Sequence, residues 1–172
     1  MSNRTTRTTT TSITILGVDP GTATTGYGII EKNGQKHTLI KYGCVLTPAK
    51  TPLHDRLDTI FNELSEIIDE YRPEHIAVEE LFFAANSKTA IAVGQARGVI
   101  LLAGKKKGLS VFEYTPLEVK MALTGYGRAD KNQIQQMVKT LLSLPQIPKP
   151  DDAADALAIA ICHSNSLRPG LK

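Results

Sequence analysis

The sequence predicts one α/β domain, a five-stranded mixed sheet opened by three antiparallel strands and covered by helices. Three observations carry that prediction. Short β-branched runs alternate with longer stretches of helical periodicity. Asn33-Gly34 separates two alternating segments, the strongest short hairpin signal. The 172 residues suffice for one sizeable core and contain no internal repeat.

Taken in order, Ser12–Val18 reads as the first strand, bounded by Pro20-Gly21, and Gly26–Lys32 as the second. Gln35–Leu46 is the return strand of the hairpin. Thr51 then offers an N-cap, with Pro52 at the first helical position. Beyond it Leu53, Leu57, Ile60, Phe61, Leu64, Ile67, Ile68 and Tyr71 fall on one helical face, and Pro73 ends it. His75–Glu80 is a short buried strand. Asn86 caps a second helix, rich in Ala and Gly, that reaches Ala103. Ser110–Tyr114 is the last strand, and Pro116 opens a short helix to Leu123. After the Gly125-Tyr126-Gly127 break, Asp130 caps a helix with Ile134, Met137, Val138, Leu141 and Leu142 inward. Pro145, Pro148 and Pro150 form a stiff linker before the last helix, Asp151–Ser164. The domain spans 13–165, between a flexible Thr-rich extension (1–12) and a flexible tail (166–172).

Bulk composition excludes more than it identifies. No apolar run approaches the ~20 residues of a membrane span, and MSNRTTRTTTTS lacks the apolar core of a secretory signal. Formal charge is +3, of which Arg4 and Arg7 in the extension supply two. A nucleic-acid surface would therefore come from local clustering, with Lys105-Lys106-Lys107, Lys120, Arg128, Lys131 and Lys139 as its candidates. The lysine triplet equally suits a solvated helix end favoured by the macrodipole. Cys44 and Cys162 form no CxxC, and His37, His54, His75 and His163 show no zinc spacing. Two unpaired thiols fit a reducing cytoplasm.

Four carboxylates carry the chemistry. Asp19 ends the run Ile13-Thr14-Ile15-Leu16-Gly17-Val18, at the strand terminus where α/β sheets bind ligands. Asp-Pro-Gly is also an ordinary turn. Glu79 ends a buried strand, and pleating sends Glu80 to the opposite side; a plain strand-end charge is the alternative. Asp152 and Asp155 stack one turn apart on the last helix. Acids also favour a first helical turn, a role that Asp151 fills as the cap. Asp155 lies too deep for capping and is surrounded by alanines that let the helix lie close to a sheet. Acids buried together want a cation. Four of them could hold two divalent ions about 3.5–4 Å apart for in-line attack on a phosphodiester. An all-oxygen donor set favours Mg²⁺, with Mn²⁺ able to substitute.

At these residues the chain resembles the RuvC-type Holliday-junction resolvases of the ribonuclease H-like superfamily, from Ile13 to His163. The anchors are Gly17-Val18-Asp19-Pro20-Gly21, Val78-Glu79-Glu80-Leu81-Phe82, Gly94-Gln95-Ala96-Arg97-Gly98 and Phe112-Glu113-Tyr114. Val119-Lys120, Gly125-Tyr126-Gly127-Arg128-Ala129-Asp130-Lys131 and Asp152-Ala153-Ala154-Asp155-Ala156-Leu157-Ala158 extend the likeness.

The resemblance implies a ribonuclease H-like fold and a crossover junction endodeoxyribonuclease of recombination and repair, which nicks two strands of like polarity across four-way junction DNA. It implies that Asp19, Glu79, Asp152 and Asp155 are the catalytic, metal-binding acids, with two Mg²⁺ per site. It places Lys120 and Lys131 near the cleaved phosphate, and Phe82 where an aromatic ring stacks on an unpaired base. Read without it, Phe82 and Phe83 are core residues. It further implies a homodimer joined through the Gly94–Ala103 helix, and a RuvA–RuvB-type branch-migration partner. The competing readings are an actin- or sugar-kinase-like ATPase, from the phosphate-loop look of Gly17-Val18-Asp19-Pro20-Gly21-Thr22, a junction-binding module without catalysis, and a generic ribonuclease H.

Overall fold

Along β1 (Ile13–Asp19) side chains part to two sides, and this alternation builds two cores. The computed structural model describes residues 12–80 and 87–167. β2 (Thr24–Asn33) and β3 (Lys36–Leu46) pair antiparallel in series with β1. β4 (His75–Glu79) and β5 (Ser110–Tyr114) run parallel to it, giving the order β3-β2-β1-β4-β5. α1 (Leu53–Tyr71) and α2 (Ser87–Lys106) cover one face. There Leu16, Val18, Ile76 and Val78 meet Ile60, Leu64 and Ile100. α3 (Pro116–Thr124), α4 (Lys131–Leu141) and α5 (Asp151–Ser166) cover the other. On that side Ile15, Ile30 and Ala77 meet Leu157, Val119 and Val138. Each fully buried Ile or Leu contributes about 1.5–3 kcal/mol.

α5 lies between the sheet and the α3–α4 pair. From Ala153 to Ser164 every residue except Asp155 is buried, as befits a helix apolar on nearly all sides. Its far end is tied by polar contacts. The buried His163 ring accepts or donates at 2.7 Å to both His75 Nδ1 and the Tyr114 hydroxyl. Ser164 bonds His37 Nε2 at 2.7 Å through its hydroxyl and takes Lys32 Nζ on its carbonyl. Burial first, then His75 and Lys32, pushes the His163 ring down to about 4, so it is neutral at physiological pH.

The sheet follows the expected pattern, and the differences lie at boundaries. The hairpin loop is Gly34-Gln35, one residue later than Asn33-Gly34: Asn33 pairs with Lys36, and Gly34 at φ 61 takes the first loop position. Thr51 does not cap α1. Its N–H is committed to the Pro48 carbonyl at 3.0 Å, and Pro52, at ψ 146, becomes the N-cap instead. α2 runs past Ala103 to Lys106 because Gly104 is a packing residue; a Cβ there would sit 2.8 Å from Ile76. Asn86, expected to cap α2, and Phe82 lie outside the described residues. Asp151 is not a cap: Pro150 holds that position and α5 begins at Asp151.

Candidate active site

β1 and β4 lie side by side in parallel register, with Ala77 opposite Gly17 and Val78 opposite Val18. Asp19 and Glu79 follow next on each strand, at the carboxyl ends. Alternation turns Val18 and Val78 to the α1–α2 core, and Gly17 and Ala77 to α5. Asp19 and Glu79 therefore share the α5 side. Glu80 lies past the strand, its N–H on the Tyr114 carbonyl at 2.8 Å.

What brings α5 to these acids is a bed of glycine. A Cβ on Gly17 would stand 2.1 Å from the Ala156 carbonyl oxygen, and one on Gly26 only 2.0 Å from that of Asp152. Gly26 pairs with Asp19 across the sheet, so the first turn of α5 is seated directly beside that acid. The sequence showed the alanines of α5 as one half of this contact. The glycines facing them were its unread half, although Gly17, Gly26 and Gly28 break otherwise β-branched strands.

Asp19, Glu79, Asp155, Lys120 and Lys131 line one open cleft of ≈ 210 Å³, floored by Val119, Ile134, Ala158 and Ile159. Asp152 sits beside it rather than in its wall, yet its charge acts on Asp19. Two capping boxes fix the basic side. Thr115 and Glu118 cap α3, which carries Lys120, and Asp130 with Gln133 caps α4, which begins at Lys131. Lys131 Nζ stands 3.0 Å from Asp155 Oδ2 and 3.6 Å from Asp151 Oδ2. Phe82 is not among the described residues. Among the wider basic candidates, Lys107 pairs with Asp69 at 2.5 Å, away from the cleft.

Electrostatics mark the site as short of positive charge. Burial foremost, then Glu79, Asp155 and Asp152, raises the Asp19 carboxyl to about 8, against the pull of Lys131. Burial and then Asp155 raise Glu79 to about 7, with Lys120 opposing. Asp155 is raised too, chiefly by burial, with Lys131 opposing. Two lysines do not neutralise four acids. A divalent cation suits this hard, all-oxygen set. Among the described residues no three potential ligands are yet drawn together on one point.

One supporting residue had no signal in the spacing. Arg97 of α2 donates from Nε to the Glu79 carbonyl at 3.1 Å and pairs through its guanidinium with Glu113 of β5. It clamps the strand end from behind.

The chain is similar to known proteins over most of its length. The profile of crossover junction endodeoxyribonuclease RuvC matches residues 15–163. A crossover junction endodeoxyribonuclease RuvC of Desulfitobacterium hafniense is 61% identical over 153 residues, covering 89% of this chain and 93% of that protein. The Thermus thermophilus RuvC structure superimposes with a TM-score of 0.82 at 36% identity, over 89% of this chain and 94% of that one. The same bacterium's RuvC in complex with a Holliday junction substrate gives 0.84 at 37% identity, over 88% and 93%. With the profile spanning nearly the whole domain, this chain belongs to the RuvC family of crossover junction endodeoxyribonucleases.

Proposed function

We propose that this chain is a Mg²⁺-dependent, structure-selective endonuclease that resolves Holliday junctions by paired nicking of two strands of like polarity in recombination and repair. One observation carries the reading. Asp19 and Glu79 end adjacent parallel strands beneath the Asp152–Asp155 turn of α5, beside two lysines, in a chain of the RuvC family. The family's nucleases are metal-dependent. Here Asp19, Glu79, Asp152 and Asp155 would hold two Mg²⁺ ions, with Mn²⁺ able to replace them. When bound, the ions supply charge neutralisation and an activated water for in-line hydrolysis of a phosphodiester.

The protein's part is placement. Glu79 and Asp19 are set by strand register, and Asp152 and Asp155 by the seat of α5 on glycine. Lys120 and Lys131 meet the phosphate from the open side of the cleft. Phe82 stacks on an unpaired base at the crossover. Paired nicks need two sites, so the working form is a homodimer. The exposed Ile91 and Leu102 of α2 support a contact along that helix. A RuvA–RuvB-type complex delivers the junction in the cytoplasm. No helix among the described residues is long and apolar enough to cross a membrane.

The test incubates purified protein with a labelled four-way junction and with matching linear duplex, with and without Mg²⁺. Symmetric paired nicks on the junction alone are expected, lost in Asp19→Asn and Asp152→Asn while junction binding persists. ATP turnover, or cleavage of hybrid duplex without junction preference, would sink the reading.

A further inference from the structure

Lys131 has two acidic partners, and they differ in kind. Asp155, at 3.0 Å, lines the cleft where the cation would sit. Asp151, at 3.6 Å, lies outside the cleft and is held by Lys149 Nζ at 2.6 Å. Gln135 faces the same carboxylate from α4. Its buried amide nitrogen has no hydrogen-bond partner. Lys149 first, with Lys131 adding to it, draws the Asp151 carboxyl below its ordinary value.

An ammonium on Asp155 and a divalent ion on Asp155 compete for the same oxygens and repel each other. A cation entering the cleft therefore expels Lys131 from Asp155. A released lysine normally swings into water on four rotatable bonds. Here a second carboxylate already stands one helical turn back along α5, within 4 Å.

We propose that Asp151 is a positioning residue that receives Lys131 when the cation takes Asp155, which eases ion entry and keeps the ammonium at the cleft rim where a phosphate arrives. This rests on the metal reading of the cleft. Asp151 touches neither the ion nor the substrate and acts through Lys131. Because both partners are half-exposed, the effect is modest, about two- to fivefold.

The experiment titrates Mn²⁺ into the full chain without DNA, following the free-ion signal by electron paramagnetic resonance. Asp151→Asn and Asp151→Ser should each weaken Mn²⁺ binding about two- to fivefold. Lys131→Met should tighten it. Loss of a nearby negative charge would by itself also weaken binding, so the decisive variant is the double one. In the Lys131→Met background, Asp151→Asn should change Mn²⁺ affinity far less than in the wild type, and Asp151→Glu should restore it where Lys131 is present. An equal loss in both backgrounds overturns the proposal and leaves a plain field effect. A wild type that binds Mn²⁺ no better than Asp19→Asn removes the metal reading and the exchange with it. Thermal melts accompany each variant; Asp151 is half-exposed at the first turn of α5, and its replacement should not disturb the fold.

Discussion

Replacing Asp19 by Asn should stabilise the ion-free protein, and only where the wild-type carboxyl is forced to ionise. Asn keeps the shape and removes the charge. The folded carboxyl sits at about 8, against 3.8 for the free group, because burial and then Glu79, Asp155 and Asp152 oppose its ionisation. Between those values the folded chain holds a proton that the unfolded chain has released. Wild-type stability therefore falls as pH rises from 3.8 to about 8 and levels off above. At about 1.4 kcal/mol per pH unit, the full displacement corresponds to about 6 kcal/mol. Rotation of the carboxylate toward the open cleft relieves part of this, leaving about 2–3 kcal/mol.

Urea unfolding in a chelator from pH 4 to pH 9 measures the difference between Asp19→Asn and wild type. It should start near zero at pH 4 and reach about 2–3 kcal/mol at pH 8, or about 5–10 °C in melting temperature. The His163 ring, depressed to about 4, makes both proteins lose stability as pH falls from 6.5 toward 4. That loss is common to the pair and cancels. Added Mg²⁺ should reverse the order, since an ion bound only by the wild-type fold stabilises it by mass action. A difference that is flat with pH, or a wild type more stable than Asp19→Asn at pH 8 in chelator, would refute the argument.

Two further variants test the seating of the site. Gly26→Ala places a Cβ 2.0 Å from the Asp152 carbonyl oxygen, so α5 must lift. It should cost about 1–3 kcal/mol or more in urea unfolding and weaken Mn²⁺ binding with it. Arg97→Lys keeps a cation for Glu113 but loses the Nε donor on the Glu79 carbonyl. Single-turnover nicking should fall roughly tenfold with unchanged junction affinity and a small shift in melting temperature. Unchanged nicking would reduce Arg97 to a surface pair.

The strands and the amphipathic face of α1 were legible because each is local, carried by a period of two or of 3.6 residues. Asp19 and Glu79 were legible for the same reason, as acids that close short β-branched runs. That they end as neighbours depends on β4 pairing parallel to β1, a register between distant segments that no local period carries. What escaped reading depends on contacts between distant segments. Gly26 means nothing until Asp152 lies across it, and Arg97 looks like any helical cation until β4 and β5 end beside it. Asp151 reads as a cap because it follows a proline at a helix start, a local rule that Pro150 itself satisfies. The end of α2, read at Ala103, falls three residues short of Lys106 for a similar reason, since the packing of Gly104 on Ile76 is a contact between distant segments.

Holding repelling acids together requires a frame that does not yield, and the two ends of α5 show how this chain supplies one. The N-terminal turn carries Asp152 and Asp155, where the helix dipole's partial positive charge offsets some of their mutual repulsion. That offset is at most about 2 kcal/mol, less than the displacement of Asp19 alone implies. The remainder must come from packing, and the helix is buried along almost its whole length against glycine, with no slack for it to drift outward. The C-terminal turn is pinned by hydrogen bonds to His75, Tyr114, His37 and Lys32, none of which adds negative charge near the cleft. Loosening that distant end should therefore weaken ion binding without touching a ligand. His163→Phe, which keeps the ring's bulk and drops both hydrogen bonds, separates anchoring from packing. If α5 is held as one rigid lever, its Mn²⁺ affinity falls along with its stability; a variant that loses stability but binds Mn²⁺ as the wild type does would show that the glycine seat alone positions the acids.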